Sequence, residues 1–71
     1  MPGVKPFFIE ARIVDVPPGY NVAYAKVVNG NVYTLRMDTP GIDVSKLKKD
    51  RLVEIEITEK LIRVLSARII D

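Results

Sequence analysis

The chain has no cysteine, histidine, tryptophan or glutamine among its 71 residues. Without cysteine, disulfides and thiolate metal sites are excluded, and without histidine the commonest general base and metal ligand are missing. Ser45 and Ser66 are the only serines, and neither lies in a recognisable nucleophile turn. A glycine-rich phosphate loop is also missing. We therefore expect a protein that is not an enzyme and that holds no metal and no cofactor.

Long apolar runs and a large excess of charge are missing as well. No stretch approaches the roughly 20 apolar residues that a membrane-spanning helix needs, and Met1–Pro6 has no signal-peptide pattern. These features predict a cytoplasmic protein with no membrane partner. The net charge is +2, a mildly basic balance that permits nucleic-acid binding without requiring it.

Apolar residues make up 48% of the chain, which is enough to predict a folded protein. The length indicates one domain. Two prolines and a glycine in residues 1–6 predict a flexible N-terminal arm, which leaves residues 7–71 as a single β-barrel domain. The abundance of valine, isoleucine, lysine, arginine and glutamate indicates a thermophilic origin.

Alternating apolar and polar residues predict strands rather than helices through most of the chain. The clearest case is Arg51–Thr58, where Val53, Ile55 and Ile57 alternate with polar residues. Asp43 is placed to cap a short helix over Val44–Lys49. The predicted strands are Phe7–Val16, Val22–Val28, Val32–Asp38, Arg51–Thr58 and Leu61–Ile70, with a bulge near Val64 in the last.

Asn29-Gly30-Asn31 lies between the second and third predicted strands and is a strong hairpin signal. A three-residue loop over these positions separates an apolar face from a polar one, whereas a two-residue loop mixes them. We therefore predict the three-residue loop. It pairs Val28 with Val32, Lys26 with Thr34 and Tyr24 with Arg36, and it places Met37 on the inner face.

Three strands, a short helix and two more strands match an all-β, five-stranded OB-like barrel with the helix between strands 3 and 4. The small side chains of Ala23 and Ala25 suit the tight interior of such a barrel. An SH3-like barrel is the alternative.

Binding chemistry is predicted on the outer face of the hairpin. Tyrosine can stack on a base, and arginine can stack or contact phosphate. The same tyrosine can instead pack only against its cross-strand neighbours. A second basic group lies near the C-terminal end of the predicted helix, where lysines also favour the helix dipole. The candidate nucleic-acid-binding residues are Tyr24, Lys26, Thr34 and Arg36 on the hairpin and Lys46, Lys48, Lys49 and Arg51 after it.

Three short stretches resemble small archaeal OB-fold or TRAM-like modules. They are the Gly-x-x-Val-Ala run of Gly19–Ala23, the pair Pro40-Gly41, and Lys49–Ile55 entering the fourth strand. This resemblance implies binding to RNA or single-stranded DNA.

A weaker resemblance is to subunit eight of archaeal and eukaryotic RNA polymerases. It is carried by Val14–Tyr20, Leu35–Asp38 and Leu52–Ile57, and it implies a role as an assembly subunit.

These observations predict a non-catalytic barrel that binds single-stranded DNA or RNA. The alternative is a protein-interaction module, either a subunit of a transcription or replication assembly or a homo-oligomer. Val22, Val28 and Val32 on the predicted outer face favour the alternative, because contiguous outer apolar surface usually marks an interface.

Overall fold

The computed structural model of the chain describes residues 5–58 and 63–71. It contains a single sheet of five antiparallel strands in the order β3-β2-β1-β4-β5. The all-β class and the number of strands are therefore confirmed. The strands are β1 (Phe7–Asp15), β2 (Val22–Val27), β3 (Val32–Arg36), β4 (Leu52–Ile57) and β5 (Ser66–Ile69).

Period-two alternation explains which side chains form the core. Val53, Ile55 and Ile57 of β4 are all buried, and the polar residues between them are not. On β2 the inward positions are Ala23, Ala25 and Val27, whose small volumes let the sheet curl tightly around its own interior. The other buried apolar residues are Ala11, Ile13, Leu35, Val44, Leu47, Val64 and Ala67.

The sheet curls into a half-barrel, and the prediction of a closed barrel is wrong for the part that the structure describes. No ladder joins the edge strands β3 and β5 there. At one end, the segment after β3 fills the space between the two edges. Thr39 bonds both backbone groups of Arg36, and the Pro40 carbonyl accepts a hydrogen bond from the Ala67 N–H at 3.0 Å.

The predicted helix over Val44–Lys49 is wrong, because only a 3-10 turn forms at Val44–Lys46. Asp43 does cap this turn, since its carboxylate accepts hydrogen bonds from the Ser45 N–H at 3.0 Å and the Ser45 hydroxyl at 2.6 Å. Leu47 then adopts an extended backbone and is buried in the core. Burial of this leucine ends the turn before a helix can develop.

The hairpin has a three-residue loop, as predicted, but the loop is Val28-Asn29-Gly30. The Gly30 N–H donates to the Val27 carbonyl and the Val27 N–H donates to the Asn31 carbonyl, each at 3.0 Å. Gly30 has φ +97°, so the residue that tolerates positive φ occupies the last loop position. The Asn29 side chain accepts from the Asn31 N–H at 3.0 Å and stabilises the turn.

This shift changes the partners across the hairpin and leaves its faces unchanged. The predicted pairs Val28–Val32, Lys26–Thr34 and Tyr24–Arg36 are wrong, because each residue of β2 lies opposite a residue two positions earlier than predicted. A register shift of two residues leaves every side chain on the same face of the sheet. The observed pairs are Tyr24 with Thr34, Lys26 with Val32 and Val22 with Arg36.

Three other predictions need correction. Met37 lies beyond the end of β3 and is 56% exposed, so it is not an inner-face residue. The last strand begins at Ser66 and not at Leu61, and residues 59–62, including the predicted connection Glu59-Lys60, lie outside the described residues. The predicted bulge near Val64 is wrong, because Val64 precedes β5. A register shift lies instead between Ile13 and Asp15 of β1. Within the described residues, no helix is long and apolar enough to cross a membrane.

Candidate nucleic-acid interface

The outer face of β1, β2 and β3 presents two neighbouring cross-strand rows. In the first, Tyr24 lies between Thr34 of β3 and Asp15 of β1, where the bulge brings Asp15 into register. In the second, Lys26 lies between Val32 of β3 and Arg12 of β1. The Tyr24 side chain is half-buried, while Lys26 and Arg12 are exposed. An aromatic ring and two cations therefore lie close together on one surface.

Arg36 lies on the same face at its edge. Its cross-strand partner is Val22, so it is a diagonal neighbour of Tyr24 and not the directly opposite residue that the sequence predicted. Diagonal neighbours are about 7–8 Å apart, which is within reach of an arginine side chain. Of the predicted hairpin site, Tyr24 and Thr34 are direct neighbours, and Lys26 and Arg36 flank them.

Unlike Arg51, Arg63 and Arg68, the cations of this face have no ion-pair partner among the described residues. Lys26, Arg12 and Arg36 make no salt bridge there. The adjacent row is acidic, since Glu10 lies opposite Glu54, and Arg68 bonds Glu54 at 2.8 Å. The unpaired cations of this face therefore lie on β1, β2 and β3, next to the row that holds Glu10 and Glu54.

The second predicted basic group is less uniform than its sequence suggests. Lys46, Lys48 and Lys49 are exposed around and after the 3-10 turn. Arg51 is half-buried, and its Nε lies 2.8 Å from the Asp71 carboxylate. The backbone N–H of Leu52 donates to this carboxylate and, together with Arg51, lowers the pKa of Asp71. Arg51 is thus committed to an internal ion pair, while the three lysines face solvent.

Two basic residues join the candidate surface only through the tertiary structure. Arg12 is brought beside Lys26 by the pairing of β1 with β2. Arg63 lines a cleft of about 960 Å³ together with Arg36, and its guanidinium lies 4.0 Å from the Asp38 carboxylate. The alternation of β1 places Arg12 on the outer face, but its neighbour depends on long-range register. For Arg63, no pattern in the sequence as clear as this alternation predicts a position near β3.

Comparison of the chain with protein-family models, curated proteins and solved structures finds no match. The geometry of the face defines what it can do. A half-exposed tyrosine can stack on a base, and unpaired cations beside it can contact the flanking phosphates. The Thr34 hydroxyl can donate or accept a hydrogen bond next to that ring.

Proposed function

We propose that the chain binds single-stranded DNA or RNA, without catalysis, on the outer face of β1, β2 and β3. We further propose that its curled sheet is a partly open barrel of the OB type, a fold whose β2–β3 face carries oligonucleotide ligands. The observation that carries the proposal is the grouping of Tyr24 with Lys26, Arg12 and Arg36, three cations without an ion-pair partner in the described part of the chain.

Each side chain has a defined role in this proposal. Tyr24 stacks on one base, which is sequence-tolerant because every base has a π-face. Lys26, Arg12 and Arg36 contact phosphates on either side of that base. The carboxylates of Glu10 and Glu54 repel the phosphate backbone of the nucleic acid. This repulsion keeps the bound nucleic acid over β2 and β3.

Fluorescence anisotropy with labelled 12-nucleotide oligo-dT and oligo-U tests the proposal directly. Three phosphate contacts predict that log K falls with log salt concentration with a slope of about −2 for a single strand. Replacing Arg12 by alanine removes one contact and makes the slope shallower by about 0.7. A duplex of the same length is the comparison ligand. Absence of binding at low salt, or binding independent of salt, contradicts the proposal.

Stacking by Tyr24 is tested separately from its packing. Tyr24→Leu keeps an apolar side chain on the sheet and removes the aromatic face, so affinity falls by the equivalent of about 1–3 kcal/mol. Tyr24→Phe retains the ring and is the matched control, with affinity close to the original. Circular dichroism and thermal unfolding establish that both variants are folded. Equal affinities for the two variants contradict a stacking role.

A protein-interaction module is the second candidate function, and a different part of the surface supports it. Val28 is 96% exposed at the hairpin tip, and Val32 is 53% exposed on the free edge strand β3. Val22, which the sequence placed with them, is half-buried and contributes less. Exposed valines next to an unpaired strand edge are typical of surfaces that meet another chain.

A further inference from the structure

On the side facing away from β2, the backbone of β3 has hydrogen-bonding groups that no residue in the described part of the chain pairs. In an antiparallel pair, every second residue of a strand bonds to its neighbour. The bond from the Val27 N–H to the Asn31 carbonyl shows which residues of β3 direct their backbone groups to β2. Tyr33 and Leu35 therefore bond to β2, whereas Val32, Thr34 and Arg36 direct their N–H and C=O groups to the free edge.

Only the first part of this edge is open. The Arg36 N–H donates to the Thr39 hydroxyl at 2.9 Å, and the Arg36 carbonyl accepts from the Thr39 N–H at 3.1 Å. No described residue bonds the edge-facing groups of Val32 or Thr34. Two N–H donors and two carbonyl acceptors therefore have no partner among residues 5–58 and 63–71, and they lie along one edge of β3.

These groups border the cleft of about 960 Å³, which has a wall on each side. One wall is the edge of β3, and the other is residues 63–65, which precede β5. Thr39 and Pro40 also line it, in the segment that bridges the two edges. The cleft therefore has the form of a groove beside a strand that lacks a neighbour.

The groove combines apolar and cationic side chains. Val32 and the half-buried Leu65 supply apolar surface, and Arg36 and Arg63 supply two guanidinium groups. Among the described residues that line it, Asp38 is the one acidic residue, and its contact with Arg63 is long, at 4.0 Å, between two largely exposed side chains. Such a pair contributes little and is readily exchanged for another carboxylate.

We propose that this groove binds an extended peptide of alternating apolar and acidic residues, which adds to the sheet as a strand next to β3. The peptide makes up to four backbone hydrogen bonds with Val32 and Thr34, as in other cases of strand addition. Its carboxylates pair with Arg36 and Arg63, and its apolar side chains contact Val32 and Leu65.

The form of the groove favours a peptide over the other occupants. A second copy pairing through its own β3 would bring another Arg36 to a groove that already holds Arg36 and Arg63, and like charges repel. A nucleic acid would use the two arginines, but its backbone does not supply the regular ladder that Val32 and Thr34 offer. The groove shares Arg36 with the proposed nucleic-acid face, but the backbone edge of Val32 and Thr34 takes no part in that function.

NMR titration of the ¹⁵N-labelled full chain with a blocked hexapeptide of alternating valine and glutamate tests the proposal. The expected result is a shift of the Val32 and Thr34 amide signals, with solvent exchange of both amides slowed about tenfold or more on saturation. Two control peptides are matched in length, one with lysine in place of glutamate and one N-methylated at alternate amides. Both are expected to bind at least about tenfold more weakly.

Two charge-reversal variants separate the groove from the outer face. Arg63→Glu is expected to weaken the valine–glutamate peptide about tenfold, and Arg12→Glu to leave its affinity unchanged. The proposal is overturned if the peptide shifts only the signals of Tyr24 and Lys26, or if it shifts none. It is also overturned if oligo-dT, and not the peptide, protects the Val32 and Thr34 amides. Because the peptide titrations contain no nucleic acid, their outcome does not depend on the function proposed for the outer face.

Discussion

Gly41 illustrates how a single residue sets the distance between two parts of this fold. A Cβ atom at this position would lie 2.5 Å from the carbonyl oxygen of Ala67, and the backbone has φ +87°. Glycine therefore serves two purposes here: it adopts the left-handed conformation, and it lets the chain approach β5 closely enough for the Pro40–Ala67 hydrogen bond.

Gly41→Ala is expected to destabilise the protein more than Gly19→Ala does. Gly19 has a similar φ of +83° and no atom within 4 Å of an added Cβ, so it reports the conformational cost alone. That cost is about 1–2 kcal/mol, and the clash at Gly41 adds to it. Urea unfolding of the two variants gives the comparison. An equal decrease in the free energy of unfolding for the two variants would show that the chain relaxes around the added methyl group at Gly41.

The candidate binding residues divide according to how each is positioned. One face of the hairpin carries Tyr24, Lys26, Thr34 and Arg36, because side chains alternate between the two faces along β2 and β3. This alternation can be predicted from the sequence. Arg12 was missed because its proximity to Lys26 depends on the register between β1 and β2, which local sequence does not determine. The role of all these residues in nucleic-acid binding stays a prediction.

At the scale of the element, the hairpin shows what a turn motif determines. Asparagine and glycine between two β-rich runs predict the turn and its length, but the loop begins one residue earlier than the motif suggests. Gly30 takes the last loop position because positive φ is required there. Since the length of the loop is unchanged, the outer face survives and only the partners change.

The end of β3 depends on Thr39, which is buried and bonds both edge-facing backbone groups of Arg36. Thr39→Val preserves the shape and removes the acceptor for the Arg36 N–H, so it is expected to cost about 1–2 kcal/mol. Hydrogen exchange of the Arg36 amide identifies the cause. It should accelerate in Thr39→Val and remain slow in Thr39→Ser, which keeps the hydroxyl. An unchanged rate in the valine variant would show that Thr39 acts through packing alone.

At the scale of the whole molecule, part of the stability is expected to be lost in acid. Hydrogen bonds from the Leu52 N–H and Arg51 lower the pKa of Asp71, and the Ser45 hydroxyl and N–H lower that of Asp43. A lowered native pKa stabilises the fold above the unfolded value of about 4. This contribution is lost as the pH falls from about 4 through the lower native pKa.

Thermal unfolding between pH 2 and pH 7 measures this effect. The midpoint temperature should be constant near neutral pH and should fall below pH about 4. Asp71→Asn should lower the midpoint at neutral pH and make its acid dependence shallower. Asp38→Asn is the control, because Asp38 is exposed and meets Arg63 only at 4.0 Å. Identical acid profiles for Asp71→Asn and the unaltered chain would contradict the assigned role.

Local patterns in the sequence predict the all-β class, the positions of β1 to β4, the alternation that forms the core, and the two faces of the hairpin. These depend on period-two patterning and on turn residues, which act over a few neighbouring positions. The long-range contacts of the fold show that Tyr24 lies beside Thr34 and that Arg51 and Arg68 are ion-paired. They also show that no described residue pairs with the edge of β3 at Val32 and Thr34, beside Arg36 and Arg63. Those features depend on register and closure between segments distant in the chain. Long-range pairing is set by how all the strands pack together, and no local pattern specifies it.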